Sequence, residues 1–136
     1  MYPSRGNKCQ ALSVINQPNR LNTELLTLLR DYLPRTGPLH TLANGKPNWV
    51  TAIEDDGLRV ETEKSRATGM GPQHVPAWML EVAWERLTTQ GTLTNRELLA
   101  ADDLNIKRSS FVCAALACLP GVAVASLRPI TLTYDG

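Results

Sequence analysis

A chain of 136 residues with 43% hydrophobic and 20% charged content suits one compact domain around a single core. Fourteen Lys and Arg stand against thirteen Asp and Glu, so bulk charge gives no reason to expect a polyanion partner, and any nucleic-acid face must come from local segregation of cations. No run approaches the eighteen or so apolar residues of a membrane span, and Met1-Tyr2-Pro3-Ser4-Arg5-Gly6 leads into no apolar signal region, so a cytoplasmic protein without a membrane partner is expected.

Residues 1–21 are polar and aperiodic and read as a flexible, mildly basic arm carrying Arg5, Lys8 and Arg20. A helix-plus-hairpin module follows over residues 22–73. Asn22 or Thr23 can cap a helix from Glu24 to Leu33, which Pro34 stops. Its leucines, Leu25 and Leu29 among them, form one broad apolar side that needs burial against this chain's core or against a second copy. Both occupants stay open at this point, so Leu25 and Leu29 are candidate interface residues of a homodimer.

Trp49 to Glu54 and Leu58 to Glu63 flank Asp55-Asp56-Gly57, a hairpin signal in which the Asp-Gly pair suits a tight turn. Leu58, Val60 and Thr62 alternate with Arg59, Glu61 and Glu63, giving one apolar and one charged face. Asp55 and Asp56 read as turn formers rather than as a catalytic or cation-binding pair. The segment Lys64-Ser65-Arg66-Ala67-Thr68-Gly69-Met70-Gly71 reads as a solvated linker without a phosphate-loop fingerprint. Its cations, Lys64 and Arg66, are nevertheless candidate phosphate contacts.

The third region, residues 74–136, begins with a helix from about Pro76 to Thr89, with Met79, Val82, Ala83 and Leu87 as its stripe and Leu80 and Trp84 widening it. Trp78 shares the side of Glu81 and Glu85 and is a candidate anchor either for the hairpin layer or for a partner. Thr94-Asn95-Arg96-Glu97 has the form of a capping box, with Leu93 and Leu98 as a hydrophobic staple, and opens a short helix from Asn95 to Ala101. A third helix, Lys107 to Leu119, is closed by Pro120-Gly121, and Val122 to Ser126 and Ile130 to Tyr134 are strand-like around Leu127-Arg128-Pro129.

Lys107 and Arg108 stand at the amino end of that third helix, where the macrodipole disfavours cations by a few tenths to about 1 kcal/mol. With Ser109 and Ser110 they suit base edges and phosphates. Ser110, Ala114 and Ala117 form a side of small residues open to close approach by DNA or by another helix.

From Val75 to Tyr134 the chain resembles the winged helix-turn-helix superfamily, with three helices followed by a two-stranded wing. The resemblance implies an α+β fold in which an N-terminal helix and β-hairpin pack on a C-terminal winged helix-turn-helix. It further implies duplex DNA binding by the third helix, with Lys107, Arg108, Ser109 and Ser110 as readers and Arg96, Arg128, Lys64 and Arg66 on phosphates. A prokaryotic transcription regulator or a component of a DNA-processing or defence system is the expected setting. The alternative is a non-catalytic adaptor or assembly subunit that uses Leu25, Leu29, Trp78, Ala114 and Ala117 as an interface.

Cofactors and catalysis are not expected. Cys9, Cys113 and Cys118 form no close CxxC pair, and His40 and His74 adjoin no nucleophile motif. For a metal nuclease, the nearest carboxylate set is Asp55, Asp56, Glu61 and Glu63 with Lys64, and solvation explains those residues adequately.

Overall fold

Asn22 opens the first element as expected, its side chain accepting a hydrogen bond from the Leu25 amide at 2.8 Å. Helix α1 spans Thr23–Tyr32 in the computed structural model, which describes residues 20–34, 36–100 and 108–135. Most of the N-terminal arm, and Lys107 with the turn preceding the third helix, lie outside the described residues.

Four strands, β1 (Leu39–His40), β2 (Pro47–Glu54), β3 (Gly57–Thr62) and β4 (Gln73–Pro76), form an antiparallel sheet in that order. The expected β2–β3 hairpin forms, but its turn is Asp55-Asp56, and Gly57 already pairs with Glu54 at the start of β3, with Ile53 opposite Leu58 and Val50 opposite Val60. A bulge between Val50 and Ala52 re-phases the first strand. Leu58 and Val60 are buried, whereas Arg59 and Glu61 lie on the wetter face, so the alternation reads through to the structure.

The supposed linker is in part a helix, α2 (Glu63–Thr68). Thr62 and Ser65 cap it reciprocally, the Ser65 amide donating to Thr62 Oγ1 at 3.1 Å and the Thr62 amide to Ser65 Oγ at 2.8 Å. Gly69 closes it in the left-handed region, at φ +70°. A serine in place of the usual Glu or Gln concealed the box.

Next come α3 (Ala77–Gln90), β5 (Thr92–Thr94), α4 (Asn95–Ala100), α5 (Ser109–Ala117), β6 (Val122–Leu127) and β7 (Ile130–Tyr134). The last three strands form a second antiparallel sheet in the order β5-β7-β6. The Thr94 amide donates to Glu97 Oε2 at 2.7 Å and the Glu97 amide to Thr94 Oγ1 at 3.2 Å, so the expected capping box forms. Leu93 and Leu98 are fully buried beside it.

In α3 the buried stripe is Ala77, Leu80, Ala83, Trp84 and Leu87, rotated from the expected one, while Met79 and Val82 are half-buried. Glu81, expected on the wet side, instead accepts from the Asn22 amide at 2.7 Å and from Asn22 Nδ2 at 2.9 Å. This two-point contact ties the start of α1 to the middle of α3.

One cluster of buried side chains runs from Leu21 through Leu25, Leu29, Leu58, Val60, Leu80 and Leu87 to Leu116 and Leu132. The N-terminal module and the C-terminal helices therefore share a core. The fold is α+β, and no helix among the described residues is long and apolar enough to cross a membrane.

Candidate nucleic-acid interface

Helix α5 was expected to offer its amino end and one side to a partner, and its surroundings leave little of it free. It meets α3, α4, β6 and β7, and also β1 of the other sheet. Phe111, Val112, Cys113, Ala114, Ala115 and Leu116 are all buried, so the helix is wrapped on every side through its middle. Ala114 is 2% exposed, which removes the continuous small-residue side on which Ser110 and Ala117 were to flank it. Burial also pushes the Cys113 thiol up to about 12, leaving an inert apolar group, and raises Cys118.

At the amino end, Arg108, Ser109 and Ser110 are described, and each is buried or half-buried. Ser109 is 3% exposed and Ser110 is half-buried. The Arg108 guanidinium donates to the side-chain carbonyl of Gln73 on β4. A cation that stability seemed not to favour thus joins α5 to the first sheet, an anchoring partner 35 positions away in sequence.

Arg66 is occupied as well. It pairs with Glu61 at 3.0 Å and stacks 3.7 Å from the centroid of the Trp49 ring. Lys64, exposed on α2, has no ion-pair partner among the described residues.

The remaining expected contacts, Arg96 and Arg128, come together by topology. Strand β5 runs antiparallel to β7, with Thr94 opposite Thr131, and the β6–β7 turn joins Leu127 to Ile130. The residues that follow β5 and the residues of that turn therefore lie at the same end of the second sheet. Arg96, in the first turn of α4, and Arg128, in the β6–β7 turn, are both exposed. Neither has a carboxylate partner among the described residues.

The expected interface residues divide differently. Leu25 and Leu29 are fully buried in the chain's own core, and Trp78 packs half-buried against it. Apart from Tyr32 and Met70, the large exposed apolar side chains among the described residues lie on β6, one of the two edge strands of its sheet. Val122-Ala123-Val124-Ala125-Ser126-Leu127 carries no charge, and Val124 and Leu127 are 41% and 49% exposed. Its β-pattern was legible in the sequence, but its edge position was not, because strand order is a property of the whole chain.

No family model, curated protein or solved structure matches the chain.

Proposed function

We propose that residues 77–134 act as a winged helix that binds duplex DNA through phosphates, with Arg96 and Arg128 as the principal contacts. The order helix, strand, helix, helix, strand, strand supports this reading, as does the central place of β7 in its sheet. The observation that carries it is the pair of exposed guanidinium groups at one end of that sheet, neither with a carboxylate partner among the described residues. Burial of α5 shifts the contact away from the third helix, so affinity is expected to be electrostatic and weakly sequence-selective.

Fluorescence anisotropy with a short labelled duplex tests this. The wild type binds at about 50 mM salt, and Arg96→Ala with Arg128→Ala lowers the slope of log affinity against log salt by about 2, as loss of two phosphate contacts requires. No binding by the wild type, or an unchanged slope in the double variant, overturns the reading.

The β6 edge supports a second reading, an assembly subunit that pairs this strand with its mate in a second copy. A charge-free edge lacks the usual lysine or inward charge that blocks such pairing, although its bulge between Val124 and Ser126 adds twist. Sedimentation velocity separates the outcomes: a dimer that Val124→Lys with Leu127→Lys converts to monomer supports assembly, and a wild type that is monomeric at all concentrations sinks it.

A further inference from the structure

A cleft of about 410 Å³ lies between α1, α3, the turn after α5 and the end of β7, and is lined by Glu24, Leu28, Trp84, Thr88, Pro120 and Tyr134 with Gly121 and Asp135. Val122 pairs with Tyr134, whereas Leu127 pairs with Ile130, so the cleft sits at the end of the second sheet opposite Arg128. Three features of its lining complement one another.

First, Glu24 and Asp135 are exposed carboxylates, and neither has a cation partner among the described residues. Second, Leu28, Pro120 and Tyr134 offer apolar surface, with the Tyr134 ring edge-on to Trp84 at 5.4 Å between centroids. Third, Trp84 is 7% exposed, yet its indole N–H has no acceptor among the described residues, and it is not among the fully enclosed orphan atoms. A buried tryptophan ordinarily finds a partner for that group, and Trp84 is one of the residues that line the cleft.

We infer that this cleft receives a basic residue of a partner polypeptide. The carboxylates take the cationic head, the apolar surface takes the aliphatic stem, and a backbone carbonyl of the same peptide accepts from the Trp84 N–H. A bare metal ion would leave the donor and the apolar wall unused, and a simple anion would meet two carboxylates. The chain would then carry opposite preferences at the two ends of one sheet, with phosphate at Arg96 and Arg128 and a basic peptide at Glu24 and Asp135.

Nitrogen–proton NMR of the full chain tests this, using N-acetyl-arginine amide as the probe and the uncharged isostere N-acetyl-citrulline amide as the control. The Trp84 indole signal, assigned by its loss in Trp84→Phe, is expected to move saturably with the arginine probe and little with citrulline. Glu24→Gln with Asp135→Asn, both at exposed positions, is expected to weaken the arginine response roughly tenfold while leaving the rest of the spectrum in place. A Trp84 signal unmoved at millimolar probe, an equal response to citrulline, or an unchanged response in the double variant overturns the inference. DNA binding at Arg96 and Arg128 is scored separately, so failure of either site leaves the other readable.

Discussion

Gly57→Ala is expected to destabilise the protein by about 3–5 kcal/mol, among the largest effects of any single substitution in the chain. Gly57 has φ +137°, a region that side chains rarely adopt, and a Cβ there would fall 2.0 Å from the Val75 carbonyl oxygen and 3.0 Å from the Ala77 nitrogen. Both atoms are backbone, so nothing can rotate aside. Relief would require β3 to part from β4 where Gly57 pairs with Pro76, and would strain the adjoining bond from the Ala77 amide to the Asp56 carbonyl at 2.9 Å. His74 Nε2 lies 3.0 Å from the same carbonyl. Urea unfolding checks this, with a lower midpoint at constant m expected. Gly69→Ala is the matched control: its φ is +70° and nothing lies within 4 Å of the added carbon, so only the conformational cost of about 1 kcal/mol applies. Equal effects at the two positions would refute the steric argument.

That glycine marks a boundary on what the residues alone disclose. An Asp-Gly pair between β-formers predicts a hairpin, and the hairpin is there, but the local turn does not account for the cost of replacing Gly57. The tight approach comes from β4, a four-residue strand ending in a proline that no periodicity could announce. Strands β1 and β5, two and three residues long, escaped for the same reason. By contrast, the Thr94–Glu97 box and the leucines of α1 were legible because each is specified by neighbours within one or two turns of helix.

The candidate site divides along the same line. A cation at a helix amino end is a local anomaly, and function is one way to explain it. Arg108 resolves the anomaly through Gln73, a partner 35 residues away, and Arg66 through Trp49 and Glu61. Arg96 and Arg128 could be named from sequence as exposed cations, yet their common position depends on the register of β5 against β7. The cleft at Trp84 was illegible altogether, since it draws on four separate elements.

Leu29→Ala is expected to cost about 3 kcal/mol while leaving the sedimentation coefficient unchanged. The leucine helix has two possible occupants by pattern alone, and the Asn22–Glu81 contact indicates which one the fold adopts. By fixing the start of α1 on α3 at two points, it directs Leu25 and Leu29 into the shared core, where both are fully buried. Truncating Leu29 therefore removes transfer energy and leaves a cavity between packed elements, the two terms that place such changes at about 2–5 kcal/mol. Leu28, one position away, is half-buried and lines the cleft, so Leu28→Ala is expected to cost under about 1.5 kcal/mol because part of its surface already meets water. If this helix were instead a dimer seam, Leu29→Ala would shift the monomer–dimer balance, and its apparent stability would vary with protein concentration. Denaturation at two concentrations distinguishes the cases. A concentration-independent loss at Leu29, at least twice that at Leu28, would show that the apolar side of α1 is used within the chain, leaving self-association to the β6 edge.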